Sequence, residues 1–131
     1  MAPAVDEILS AKVDVLAPCA MGGAINENSI YNIRAGIVAG AANNQLTSNE
    51  MADELLNRGI LYAPDYVINA GGIIDVYYQN CGVHSEGIVN KHIDRIGPTL
   101  RAIFSSSGSR RLSTNAVADE MAEKILNRVD H

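Results

Sequence analysis

Two stretches decide the fold of this 131-residue chain: Gly40-Ala-Ala-Asn-Asn-Gln-Leu46 and Tyr62-Ala-Pro-Asp-Tyr-Val-Ile-Asn-Ala-Gly-Gly72. Each follows a short apolar run whose residues favour a β-strand. Both are built mainly from small residues and uncharged amides. An amide offers a donor and an acceptor without adding charge, so these stretches suit a backbone-lined pocket for an uncharged ring that carries its own amide. The pattern predicts half of a cofactor site, with the other half outside this sequence.

Strand, loop and helix alternate along residues 13–79. The predicted strands are residues 13–17, 36–39 and 60–63. Short connections through helices give right-handed crossovers and a parallel sheet, so the expected class is α/β. In such a sheet, ligands bind at the carboxyl ends of the strands. The turns at 18–23, 40–44 and 64–72 are therefore expected to meet there.

The last part of the chain is predicted to be helical, because its apolar residues recur at helical spacing. Gly97-Pro98 interrupts that spacing, which predicts a kink or two shorter helices. The serine-rich run 105–109 is typical of a linker, and Thr114 is a good cap for a final helix. We therefore expect two parts: an α/β unit at 1–83, and a helical tail at 84–131 that packs on it or on a missing domain.

The formal net charge is −5, from 10 basic and 15 acidic residues. A surface that binds the phosphate backbone of a nucleic acid is normally basic, so we do not expect nucleic acid as a partner. No apolar run reaches the roughly 20 residues of a membrane span, and the first residues do not resemble a signal peptide. Cys19 and Cys81 lack metal-type spacing and are expected to be reduced, small hydrophobic residues. A soluble cytoplasmic protein without a membrane partner is the expectation.

The residue patterns of acid–base, nucleophilic or metal chemistry do not occur in this sequence. It contains no G-x-G-x-x-G, no Gly-x-Ser-x-Gly and no His–Glu pair at metal-ligand spacing. Between residues 13 and 76 the basic residues are Arg34 and Arg58, and neither follows a predicted strand. Asp65 and Asp75 are isolated, and we expect them to be solvated surface groups. We therefore predict no catalytic residue and no metal site in this chain.

Asn43, Asn44 and Asn69 are the candidate ligand-binding side chains, and each has a structural alternative. An asparagine pair is common in tight turns, whereas in a functional role one amide reaches a ligand carboxylate or carboxamide. Asn69 stands near the start of a predicted helix, where it can act as the cap. The following pair, Gly71 and Gly72, either admits a ligand close to the backbone or satisfies packing.

Three motifs resemble one known family. In this chain they are Val13-Asp-Val-Leu-Ala-Pro-Cys-Ala20, Ala39-Gly-Ala-Ala-Asn-Asn-Gln-Leu46 and Tyr62-Ala-Pro-Asp-Tyr-Val-Ile-Asn-Ala-Gly-Gly72. Their order and spacing resemble the C-terminal domain of the glutamate/leucine/phenylalanine/valine dehydrogenases, most nearly the leucine dehydrogenase branch. The resemblance implies the second half of a Rossmann-type NAD-binding domain, a partial parallel sheet with C-terminal helices. The glycine fingerprint of the first half, and the lysines of the family's N-terminal catalytic domain, have no counterpart here.

The resemblance also implies roles for individual residues. The implied cofactor-binding residues are Cys19, Ala20, Met21, Asn43, Asn44 and Asn69. The implied substrate-binding residues are Asn44, Ile73 and Val76. Asn44 would meet both the substrate and the nicotinamide, and Asn69 would pair with the nicotinamide carboxamide. The apolar, branched side chains of Ile73 and Val76 suit an aliphatic amino acid better than glutamate.

Two functions from different classes remain at this point. The first is a fragment of an NAD-dependent amino acid dehydrogenase, which in full would oxidise a branched-chain L-amino acid such as leucine to its 2-oxo acid. The fragment would supply the nicotinamide side of the site, be inactive alone and, as the family forms homo-oligomers, assemble with copies of itself. The second is a non-catalytic truncated paralogue that acts as a binding or assembly module, because a half-domain exposes a sheet edge and an apolar face.

Overall fold

The centre of the fold is a three-stranded parallel sheet, seen in a computed structural model that describes residues 5–129, with Val129 described in its backbone alone. The strands are β1 (Val15–Leu16), β2 (Ile37–Val38) and β3 (Leu61–Tyr62). They pair in parallel in the order β1-β2-β3. The predicted α/β class with a partial Rossmann-type parallel sheet is confirmed. Each strand is shorter than the apolar run that predicted it.

Seven α-helices and one 3-10 helix accompany the sheet within the described residues. They are α1 (Val5–Leu9), the 3-10 helix (Ile30–Asn32), α2 (Asn49–Asn57), α3 (Asp65–Ile68), α4 (Gly71–Asn80), α5 (Glu86–Ile93), α6 (Ile96–Arg110) and α7 (Thr114–Val129). The turn α3, between β3 and α4, was not predicted as helix. No helix in this part of the chain is long and apolar enough to cross a bilayer.

One face of the sheet is buried and the other is open. Alternation along each strand puts Leu16, Val38 and Tyr62 side by side on the buried face, at 5%, 0% and 2% exposure. That face packs against residues of α1, the 3-10 helix and α2. The neighbouring row, Val15, Ile37 and Leu61, retains 47%, 37% and 37% exposure. Among the described residues, the sheet is therefore covered by helices on one side.

Helix α2 shows why the sequence folds locally in this way. Met51, Ala52 and Leu55 recur at helical spacing and are buried, and Met51 and Leu55 belong to the core cluster of the sheet. Ser48 is the N-cap; a hydrogen bond from the Ser48 side chain is the main cause that lowers the pKa of Glu50 in the first turn. Gly59 follows the helix at a φ of +70°, a conformation that favours glycine, and the chain turns there into β3.

The prediction of a linker at 105–109 is wrong, because these serines lie inside α6. Ile103 and Ser107 are buried, and Ser107 Oγ donates to Leu112 O at 2.6 Å, so tertiary contacts outweigh the low helix propensity of the run. Pro98 is the third residue of α6, where its missing N–H does not break the helix. Two shorter helices are present, one of the two predicted outcomes, but the break falls at Asp94 and Arg95, and Gly97-Pro98 lies inside the first turn of α6.

Contacts of α6 and α7 join the helical tail to the sheet unit. Ile103, Val117 and Ala118 form a second buried cluster between these helices. Val67 of α3 and Phe104 pack against that cluster. Helix α6 contacts α3, and α7 contacts α2, so the tail lies beside the β3 side of the sheet.

Candidate functional site

Gly40 joins the loop after β1 to the loop after β2. A Cβ atom at this position would overlap the backbone of Pro18, so only glycine permits the approach. Two hydrogen bonds close the same contact: Ala42 N–H donates to Pro18 O at 2.9 Å, and Ala41 N–H donates to Cys19 Sγ at 3.4 Å. The carboxyl ends of β1 and β2 are therefore fixed against each other.

A second contact between these loops sets the position of Asn44. Gly23 N–H donates to Asn44 O at 2.7 Å, and a Cβ atom on Gly22 would lie 2.8 Å from Asn43 O. Asn44 has a φ of +52°, in the left-handed region that asparagine tolerates better than most residues. Asn44 is also exposed, so it lies where a ligand at the rim of the sheet would meet it.

Asn69 brings the third loop to the same rim. Its Nδ2 donates to Asn43 Oδ1 at 2.8 Å. Asn69 closes α3 as its C-cap, whereas Ala70 is the N-cap residue of α4, so the alternative that Asn69 caps the following helix is wrong. Neither Asn43 Nδ2 nor Asn69 Oδ1 makes a hydrogen bond within residues 5–129, which leaves one donor and one acceptor side by side.

Gly71 and Gly72 lie just beyond Asn69, at the start of α4. A Cβ atom on either glycine would meet no atom within 4 Å, and neither has a positive φ. Packing among the described residues therefore does not require glycine at these positions. The space above this backbone is open to a ligand or to another polypeptide.

The remaining predicted residues lie around this rim on exposed surfaces. Cys19, Ala20 and Met21 line an open apolar cleft of about 630 Å³, together with residues of α1 and β1. Met21 is 83% exposed, and both cysteines are free and exposed. Ile73 and Val76 are 72% and 53% exposed on α4, one helical turn apart on the same face.

Asp65 was predicted to be a solvated surface group, and this prediction is wrong. The residue is 9% exposed at the start of α3. Its Oδ2 accepts the N–H of Gln45 at 3.0 Å, and its Oδ1 accepts the N–H of Tyr66 at 2.9 Å. Its place at the first position of a helix that follows a strand and a proline was the available signal, because carboxylates are favoured at helix N-termini.

Gln45 is fully buried and was not singled out from the sequence. Its Nε2 donates to Gly40 O at 2.7 Å and to Ala42 O at 2.9 Å, so the side chain bridges two carbonyl groups of its own loop, the one after β2. Its Oε1 is buried and has no hydrogen-bond partner in the described chain. The sequence motif contains Gln45 between Asn44 and Leu46, but its burial depends on tertiary structure.

Two tyrosines next to the rim are held in their protonated form. Burial, followed by the charge of Asp65, raises the pKa of Tyr62 above its ordinary range. Burial, followed by a hydrogen bond to Asp119, raises the pKa of Tyr66. The Tyr66 hydroxyl donates to Asp119 Oδ1 at 2.8 Å, which links α3 to α7. Neither phenol is placed to act as a base at neutral pH.

The groups at the rim can bind and orient a ligand. They are backbone amides, glycines and neutral side-chain amides, which recognise a polar ring without supplying a proton. Residues 5–129 contain no group of three or more His, Cys, Asp and Glu side chains arranged to hold a metal ion. A parallel α/β sheet with such a rim at its carboxyl end has the architecture of a dehydrogenase domain.

Comparison with known proteins places the chain in a family. The family model described as Glutamate/Leucine/Phenylalanine/Valine dehydrogenase matches residues 1–95. The chain belongs to this family, as the three motifs predicted. L-tryptophan dehydrogenase of Nostoc punctiforme is 45% identical over 92% of this chain, and leucine dehydrogenase of Bacillus subtilis is 38% identical over 95% of it. The chain spans about a third of the length of these relatives, 34% in each case.

Two solved structures share the fold of this chain. The crystal structure of L-tryptophan dehydrogenase from Nostoc punctiforme superimposes with a TM-score of 0.88 at 44% identity, over 94% of this chain and 37% of that one. A hetero-hexameric glutamate dehydrogenase from Thermus thermophilus superimposes with a TM-score of 0.67 at 24% identity, over 88% of this chain and 29% of that one. The second likeness concerns the fold alone.

Proposed function

We propose that this chain is the nicotinamide-binding part of an NAD-dependent L-amino acid dehydrogenase. The complete enzyme would oxidise an apolar L-amino acid, in the first instance a branched-chain one such as leucine, to its 2-oxo acid with release of ammonia. The observation that carries the proposal is the meeting of Asn43, Asn44 and Asn69 at one rim. Family membership supports the reaction class. Catalytic lysines would come from the domain that this sequence does not contain, so the chain alone is inactive.

The residues at the rim fit the nicotinamide group of NAD. Asn43 Nδ2 and Asn69 Oδ1 offer one donor and one acceptor, which match the acceptor and donor of a carboxamide. Asn44, fixed by Gly23, would orient the nicotinamide ribose and the substrate. Cys19, Ala20 and Met21 would border the cofactor path along the cleft beside β1; bound NAD supplies the hydride acceptor.

Ile73 and Val76 support an apolar substrate. Both are exposed, apolar and branched, and they share one face of α4 directly after the open backbone at Gly71 and Gly72. A contact surface of this kind favours an apolar side chain over a carboxylate, because burying an unpaired charge is unfavourable. One methylene changes discrimination by only about 1–3 kcal/mol, so the choice among leucine, valine and aromatic substrates depends on the rest of the pocket.

The rest of the assembly is part of the same proposal. We assign residues 1–83 to the second half of the NAD-binding domain and residues 84–131 to a helical tail. The exposed face of the sheet carries the apolar row Val15, Ile37 and Leu61. Such a row supports the proposal that further polypeptide or another subunit covers this face, as expected for a homo-oligomer. Two free, exposed thiols support a reducing, cytoplasmic location.

Titration of the ¹⁵N-labelled chain with millimolar NADH tests the nicotinamide site. We expect the largest shift changes at the amides of Asn44 and Asn69, and about three- to tenfold weaker binding after Asn69→Ala, which removes one carboxamide partner. Asn57→Ala, at the exposed end of α2, is the matched control and leaves binding unchanged. Shift changes confined to other surfaces, or equal affinity for both variants, would refute the proposed site.

The second candidate, a non-catalytic assembly module, would account for the same exposed apolar row on the sheet. Intact mass of the protein from its native source separates the two. A mass near 14.0 kDa supports the module. A mass near three times this value supports the dehydrogenase, because the curated relatives are about three times as long.

A further inference from the structure

Asp65 is a buried carboxylate to which the proposed function gives no role. Its two oxygens each accept a different backbone N–H, that of Gln45 at 3.0 Å and that of Tyr66 at 2.9 Å. Its own carbonyl accepts the N–H of Asn69 at 2.9 Å. One residue therefore contacts the loop after β2 through its side chain and the end of α3 through its backbone.

Asp65 contacts Gln45 next to an unfavourable backbone conformation in the loop after β2. Gln45 directly follows Asn44, whose φ of +52° is unfavourable for most side chains. The Gln45 side chain points back to the carbonyls of Gly40 and Ala42, so it holds the first half of the loop. Among the described residues, the bond to Asp65 is the side-chain contact that holds the Gln45 backbone N–H.

We propose that Asp65 is a positioning residue that fixes the spacing between Asn44 and Asn69, and so presents both amides to one ligand. Its importance for catalysis rests on the proposed function; its effect on the loop does not. The carboxylate clamps the peptide after Asn44, while the turn that begins at Asp65 ends at Asn69. The Asn69–Asn43 hydrogen bond then closes the ring of contacts between the two loops.

The contact of the Asp65 side chain with two backbone N–H groups requires a carboxylate. Both partners of Asp65 are N–H donors, and each uses a separate oxygen. A side-chain amide of the same size has one oxygen and an NH2 group, so Asp65→Asn leaves one of the two N–H groups facing another donor. The substitution removes one of the two hydrogen bonds of the carboxylate with almost no change in volume.

Asp65→Asn is compared with two controls. Asp75→Asn removes an equal charge from an exposed carboxylate that accepts a hydrogen bond from the Gln79 side chain. Ile103→Val weakens the cluster between α6 and α7, against which Val67 of α3 also packs, and so controls for lost stability while Asp65 and its two N–H partners stay unchanged. We expect about tenfold faster exchange of the Gln45 or Tyr66 amide, altered backbone couplings at Asn44 and shifted Asn69 side-chain resonances in Asp65→Asn alone. Weaker NADH binding, by about tenfold, should accompany them.

The outcomes separate this inference from the proposed function. If Asp65→Asn leaves the Asn44 couplings and Asn69 resonances unchanged, or if Ile103→Val changes them equally, the positioning role is refuted. If the loop changes but the wild-type chain shows no NADH contact at Asn44, the positioning role stands and the nicotinamide site fails. If Asp65→Asn does not fold, the wild-type chain provides the test. A through-hydrogen-bond coupling between Gln45 N–H and the Asp65 carboxylate supports the positioning role. No such coupling, together with rapid exchange of the Gln45 amide, overturns the positioning role.

Discussion

Gly40→Ala should destabilise the protein far more than the same substitution at Gly71. An alanine Cβ at position 40 would lie 2.5 Å from Pro18 N and 2.7 Å from its carbonyl carbon, distances at which the backbone must move. Such overpacking costs about 1–3 kcal/mol. Separation of the loops also breaks the hydrogen bond from Ala42 N–H to Pro18 O, worth about 1 kcal/mol. The expected loss in the free energy of unfolding is therefore about 2–4 kcal/mol.

Gly71→Ala is the matched control because it adds the same methyl group to open space. Gly71 lies in the first turn of α4 without a positive φ, and alanine favours helix by up to about 1 kcal/mol over glycine. Urea denaturation of both variants of the 131-residue chain measures the difference. We expect a lower midpoint for Gly40→Ala, and an unchanged or higher midpoint for Gly71→Ala. Equal midpoints would refute the assignment of Gly40 to an obligatory backbone contact.

Two further substitutions test how the helices are tied to the sheet unit. Arg58→Met removes guanidinium hydrogen bonds to the carbonyls of Ile30 and Ile33, and should lower the free energy of unfolding by about 2 kcal/mol in urea titration. An unchanged midpoint would contradict that role. Tyr66→Phe removes the hydroxyl that donates to Asp119, and should speed amide exchange in α7 while costing about 1 kcal/mol. Exchange in α7 equal to wild type would show that this bond does not hold the helix.

The order of the sheet and the meeting of its loops could be predicted from the sequence. Alternation of apolar runs with helical segments fixes parallel pairing, and parallel pairing brings Asn43 and Asn69 to one edge. Small residues and glycine in the motifs indicated a backbone-lined pocket, whereas the close contact of Gly40 with the Pro18 backbone was not singled out from the sequence. The predicted features depend on local composition and on the order of the elements, and both can be predicted from a single sequence.

Burial of polar residues could not be predicted in the same way. Asp65 looked like an isolated, solvated carboxylate in the sequence, yet it is buried and one of its partners, Gln45, lies 20 residues earlier. The serines at 105–109 looked like a linker because their propensity is low, but Ile103 and Leu112 supply long-range packing and a hydrogen-bond acceptor. In both cases the deciding contact is tertiary.

A crystal structure of the chain grown with NADH tests the central claim most directly. The account predicts nicotinamide at the rim of the sheet, its carboxamide within hydrogen-bond distance of Asn69 or Asn43, and its ribose next to Asn44. A nicotinamide ring located elsewhere, with the Asn69–Asn43 contact closed and the rim covered by other atoms, would contradict it.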